Sequence, residues 1–272
     1  MSIGLAIVLG ITQGISELFP FSSLGILVVL PAVFHLPFHL TGATYLPFIV
    51  ALHVGTALGL LLYFLKDWIR LVVGAVRSLS GKDDRYGRIL GRLFIATVPA
   101  GIAGYLFKSP LSFLFGVPLA AAVLLIANGG VLFLADAWKR ARRQELAPDA
   151  MTVNQSLSVG LFQMFALFPG LSRSGLAMTG ALRLGLSYEE AARFAFLMAT
   201  PIIGAAGLLE LPHLGHGAMA ALLLPSIVGG VVAAVVAVVS VHFLLRYFER
   251  QDLRLFAWIC VAIGVVSLLI IR

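Results

Sequence analysis

At 272 residues the chain could form one or two domains, but 60% of it is hydrophobic and only 11% charged, with a mean hydropathy of +1.04. Soluble globular chains carry about 25% charge, so this composition excludes a water-soluble enzyme and leaves a multi-pass protein of the membrane bilayer. The net charge of +7 does not point to nucleic acid. The basic residues are bunched between apolar runs: seven of the 19 Lys and Arg lie between Lys66 and Arg92, four between Lys139 and Arg143, and three between Arg246 and Arg254.

In chain order, uninterrupted apolar runs at about 46–65, 90–107, 117–136, 190–209, 218–245 and 254–271 predict six spanning helices. The basic segments between them read as inside loops, which places 66–92, 139–150 and 246–254 inside and both termini outside, on the periplasmic face. Trp68, Trp138 and Tyr63 stand beside these basic residues as interfacial anchors. Gly229 and Gly230 read as helix-packing positions rather than a nucleotide loop. The start of the chain has no basic n-region and no small-residue cleavage site, so it reads as the start of a mature protein. Cys260 is the one cysteine, which excludes an internal disulfide and a cysteine-based metal site.

Two stretches do not fit as single spans. Residues 3–36 hold two short apolar pieces broken by Ser16 to Ser23, and residues 152–186 hold two more broken by Pro169 to Gly175. Charge places both flanks of the second stretch inside, so it crosses an even number of times, and its pieces are short for full crossings. A re-entrant helical hairpin is therefore expected for each stretch. Each half then reads as a hairpin followed by three spans, giving one membrane domain over 1–272 with inverted repeats at about 3–136 and 152–271. Gly10-x-x-Gln13 and Phe19-Pro20 match Gly160-x-x-Gln163 and Phe168-Pro169. The expected fold class is thus an all-α integral membrane protein of six spanning helices plus two re-entrant hairpins.

Glu17 is an acidic residue inside an apolar stretch, where an unpaired charge costs several kcal/mol, and such a residue is a functional candidate by default. Gln13 lies one helical turn earlier on the same face. In the second hairpin, Gly170 and Gly175 free the backbone, Ser172 and Ser174 supply hydroxyl donors, and Arg173 supplies a planar fork for phosphate oxygens. If both tips reach the midplane, Glu17 with Ser22 and Ser23 meets Arg173 with its serines. That set suits phosphoryl chemistry: a base or metal anchor, a nucleophile and a charge clamp. His35, His39, His213 and His216 read as interface histidines, with metal binding as the alternative.

Gln13-Gly14-Ile15-Ser16-Glu17 followed by Pro20-Phe21-Ser22-Ser23-x-Gly25 resembles the first motif of the undecaprenyl-diphosphate phosphatase family, the bacitracin-resistance type. Pro169 to Gly175 is similar to its PGxSRSG motif. Leu52-His53-x-Gly55-Thr56, Thr97-x-Pro99-Ala100 and Phe194-x-Phe196-Leu197 with Pro201 resemble further landmarks in family order. The resemblance implies hydrolysis of a polyprenyl diphosphate lipid to the monophosphate, recycling the lipid carrier of cell-wall synthesis in the bacterial inner membrane. It also implies a divalent cation, Mg²⁺ or Ca²⁺. Glu17 and Gln13 then take the metal or base position, Ser23 that of a nucleophile, and Arg173 lies on the phosphates, with Ser22, Ser172, Ser174, Gly170 and Gly175 binding substrate. Where the family reads Thr-Gly-His after the paired serines, this chain has Leu24-Gly25-Ile26. His53 is a possible replacement for that histidine, or else a structural residue of an apolar helix. The alternative from another class is a non-hydrolytic transporter or flippase of polyprenyl phosphate. The sequence carries no signal for an oligomeric state.

Overall fold

The computed structural model describes residues 1–34, 46–107, 117–142, 144–210 and 221–271. His35, His39, His213 and His216 lie outside the described residues. Eleven α-helices are found among those described: α1 (Ile3–Ser16), α2 (Ser23–Val33), α3 (Leu46–Tyr63), α4 (Leu65–Leu79), α5 (Arg85–Leu106), α6 (Pro118–Ala141), α7 (Val153–Met164), α8 (Arg173–Leu184), α9 (Tyr188–Glu210), α10 (Leu223–Phe248) and α11 (Arg254–Ile271). Five of them, α5, α6, α9, α10 and α11, are long and apolar enough to cross a membrane. The protein is an all-α, multi-pass membrane protein.

Both broken stretches fold as pairs of short helices, α1 with α2 and α7 with α8. Side-chain caps fix where each piece begins. Ser2, Ser22, Thr152 and Ser172 each accept a hydrogen bond from a first-turn amide that the helix itself leaves unpaired. At Thr152 the cap is reciprocal, because Gln155 accepts in return from the Thr152 N–H.

One expectation is corrected. The segment 66–92, read as a basic loop, contains α4 and the first turns of α5, and α4 turns away from α3 by 75°. Its charged residues hold down the average hydropathy, yet one face is apolar throughout, so the helix is amphipathic rather than absent.

Small residues set the packing. α1 and α3 both lie against α10, and a Cβ on Gly55 would fall 2.1 Å from the Gly230 carbonyl oxygen. α7 packs on α5, and α6 pairs with α11. Leu18, Phe64, Leu132, Phe196, Phe256 and Cys260 belong to the main buried cluster, which spans both halves of the chain. The outer face of α10 carries Ile227, Val231, Val235, Val239 and Phe243 at four-residue intervals, all exposed, the row expected of a helix that faces lipid. At the end of α6, buried Asp136 accepts from Arg140 and Arg254, both at 2.8 Å, and from the Tyr188 hydroxyl. It thereby ties α6, α9 and α11 together beside the basic segments.

Candidate active site

Glu17 caps the C-terminal end of α1, and only 5% of it is exposed. Four side chains converge on its carboxylate. Ser23, the first residue of α2, donates its hydroxyl to Oε2 at 2.6 Å; Gln13 Nε2 donates to the same oxygen at 3.2 Å; His53 Nε2 lies 3.2 Å from it; and Arg173 Nε donates to Oε1 at 3.0 Å. A carboxylate removed from water must be compensated by opposite charge and hydrogen bonds. Here that compensation arrives from α1, α2, α3 and α8 together.

Arg173 is fixed on its far side by a second bond, Nη1 to the Ala195 carbonyl of α9 at 3.1 Å. Its Nη2 is buried and has no partner among the described residues. The guanidinium therefore keeps the N–H groups of Nη2 for an oxyanion while its plane is held through Nε and Nη1. His53 Nδ1 donates to the Ile49 carbonyl at 2.8 Å and Nε2 donates to Glu17 Oε2 at 3.2 Å; a carbonyl and a carboxylate only accept, so both ring nitrogens carry protons and His53 stands as a second cation beside Glu17. Gln13 Oε1 is buried and unpartnered among the described residues.

The remaining predicted residues hold the break between α1 and α2 against the break between α7 and α8. Ser22 Oγ accepts from Gly25 N at 3.0 Å beside its own break and from Gly170 N at 3.1 Å across to the other. Ser172 Oγ accepts from Gly175 N at 3.1 Å and lies 3.1 Å from Ser174 Oγ, which donates to the Phe19 carbonyl at 3.2 Å. Gly170 has φ of +111°, and a Cβ on Gly25 would fall 2.7 Å from the Gly170 Cα, so both positions exclude a side chain.

Sequence reasoning missed Asn128. It is fully buried on α6, accepts from Ser172 N at 2.9 Å, and donates to the Pro20 carbonyl at 2.9 Å and to Cys260 Sγ at 3.2 Å. One amide thus joins both breaks. The signal available in the sequence was an isolated Asn within an apolar run, where an unpaired amide is expensive.

For a divalent ion, no cluster of three His, Cys, Asp or Glu occurs among the described residues. What the site offers is the Glu17 carboxylate and the orphaned Gln13 Oε1, two hard oxygens on one helix face. That set fits a Mg²⁺- or Ca²⁺-type ion whose other ligands are substrate phosphate oxygens and water.

A family profile described as bacitracin resistance protein BacA matches residues 6–266. A curated relative from Acidiphilium cryptum (strain JF-5), named undecaprenyl-diphosphatase, is 45% identical over 274 residues, 98% of this chain and 97% of its own. Undecaprenyl-diphosphatase 2 of Burkholderia ambifaria is 45% identical over 269 residues, 98% of this chain and 96% of its own. Undecaprenyl-diphosphatase 1 of Burkholderia pseudomallei (strain K96243) is 44% identical over the same shares. With its two motif-bearing breaks closed on one buried carboxylate and a profile match along nearly its whole length, the chain belongs to the bacitracin resistance protein BacA family.

Proposed function

We propose that this protein is a bacterial inner-membrane phosphatase that hydrolyses undecaprenyl diphosphate, or a related polyprenyl diphosphate, to the monophosphate and inorganic phosphate. The observation that carries the reading is the contact of Ser23, Glu17 and Arg173: a hydroxyl already bonded to a buried base, beside a cation with a free donor. The names of the relatives agree with it.

Arg173 Nη2 takes a non-bridging oxygen of the terminal phosphate, which sets the phosphorus against Ser23 Oγ. The Oγ–P bond forms as the P–O bond to the prenyl phosphate breaks, and the Ser23 proton passes to Glu17 and on to the departing prenyl phosphate. Water then attacks the phosphoserine. Its proton goes to Glu17, which returns it to Ser23 as inorganic phosphate leaves. His53 Nε2 lies on the same carboxylate oxygen as the Ser23 hydroxyl and orients that base. Glu17 and Gln13 would hold a divalent cation, which would supply charge neutralisation for the phosphate oxygens. Ser22, Ser172, Ser174, Gly170 and Gly175 shape the cradle by locking the tips.

The fold reading that accompanies this function is a single membrane domain of two inverted repeats, each a re-entrant hairpin followed by three spans, with both termini periplasmic. Matched pairings support it: α1 lies on α10 as α7 lies on α5, Ser22 caps α2 as Ser172 caps α8, and Gln163 is buried at the position corresponding to Gln13. A non-hydrolytic lipid transporter would share this architecture.

The deciding experiment is phosphate release from polyprenyl diphosphate by the purified protein with and without chelator. The expected result is metal-dependent release whose kcat falls sharply in Glu17→Gln, with KM steady or lower because one negative charge facing an anionic substrate is removed. Lipid binding without release by wild type would transfer the site to transport. Release retained by Glu17→Gln would make the carboxylate structural.

A further inference from the structure

α4 has a surface that phosphatase chemistry does not use. Leu65, Ile69, Val72, Val73, Val76 and Leu79 are all exposed, and at 100° per residue they form one stripe along the helix. Leu71 and Gly74, on the opposite side, are buried, with Gly74 close against Gly87 and Tyr86 of α5. Lys66, Arg70 and Arg77 fall together on one flank of the stripe and are exposed. Lys66 and Arg70 make no ion pair among the described residues, and Arg77 reaches Asp84 only at 3.7 Å. The acidic residue of this helix, Asp67, is turned to the protein side, where it pairs with Arg193 at 2.8 Å.

We infer that α4 lies in the headgroup layer of one leaflet and binds anionic phospholipid, its apolar stripe dipping into the acyl boundary and its three cations holding phosphate headgroups. The turn of 75° at the end of α3 lays the helix nearly along the membrane plane once α3 stands across it. An apolar stripe with cations confined to its flank is the pattern of an interfacial helix. The charge complementarity selects anionic over zwitterionic lipid.

The full-length protein in nanodiscs tests this, using Val76→Cys carrying a spin label; the native Cys260 is buried and does not compete. The expected label is accessible to oxygen, poorly accessible to a water-soluble nickel complex, and about 5–10 Å below the headgroups. In mixed phosphatidylcholine–phosphatidylglycerol nanodiscs, native mass spectrometry should find phosphatidylglycerol enriched on wild type. That preference should fall about fivefold for each cation removed in Lys66→Gln and Arg70→Gln. A label open to nickel, or shielded from both reagents as at a protein contact, overturns the proposal. So does an unchanged lipid preference in the double variant. Should the double variant fold poorly, Arg70→Gln alone gives the same reading.

Discussion

Arg173 donates Nε to Glu17 Oε1 at 3.0 Å across 156 positions of sequence, joining the break in the first hairpin to the start of α8. The two residues that a hydropathy reading marks as most costly in an apolar chain are each other's compensation.

Replacing Arg173 with Lys keeps the charge but removes the fork that reaches Glu17 and Ala195 at once and leaves Nη2 open. Phosphate release should fall by about 10- to 100-fold in kcat/KM, the loss expected for one charge-assisted hydrogen bond. Full activity in Arg173→Lys would reduce the side chain to a point charge.

At position 53 the expected outcome separates chemistry from packing. His53→Gln keeps a polar group near Glu17 Oε2 but cannot repeat the ring's bridge from the Ile49 carbonyl to that carboxylate. We expect kcat to fall by about 100-fold or more, with KM little changed and thermal stability near wild type. Activity near wild type with a lowered unfolding midpoint would identify a structural histidine.

Asn128→Ala removes the amide that joins both tips and leaves the Pro20 carbonyl and the Ser172 N–H without it. Each orphaned group costs about 1–3 kcal/mol. A lower unfolding midpoint in detergent is therefore expected, together with a drop in kcat as Ser23 and Arg173 lose registry. An unchanged midpoint would mean that the tips hold without this clasp.

The positive-inside reading places Ser2 outside and Lys82, between α4 and α5, inside. Cysteine introduced at Ser2 should react with an impermeant maleimide in intact cells, and cysteine at Lys82 only after the membrane is opened. The reverse pattern would invert the topology.

Much of this was legible because membrane burial makes charge conspicuous. Glu17 and Arg173 stand out against apolar neighbours, and the breaks at Phe19–Ser22 and Phe168–Ser172 carry their own glycine, proline and serine signals. α4 was hidden because its Lys, Arg and Asp lower the averaged hydropathy, although Leu65, Ile69, Val72, Val76 and Leu79 already keep helical spacing. What Asn128 joins was hidden for another reason: its partners include backbone atoms 108 and 44 positions away, which no local pattern encodes. That His53 reaches Glu17 is likewise a product of how α3 packs beside α1, since its own motif is compatible with a structural histidine.

The clasp at Asn128 also has a meaning in time. A ribosome makes Glu17, His53 and Asn128 well before it makes Pro169 to Ser174, so the first hairpin enters the membrane with its carboxylate facing no guanidinium and with Asn128 still lacking the Ser172 amide. Until the second hairpin docks, that unsatisfied polar seam is open to water or to the insertion machinery. Arrival of Arg173 closes it, and α9, which fixes the far side of Arg173 through Ala195, follows with α10 and α11. A chain stopped short of residue 173 is thus marked as unfinished by its own buried charge.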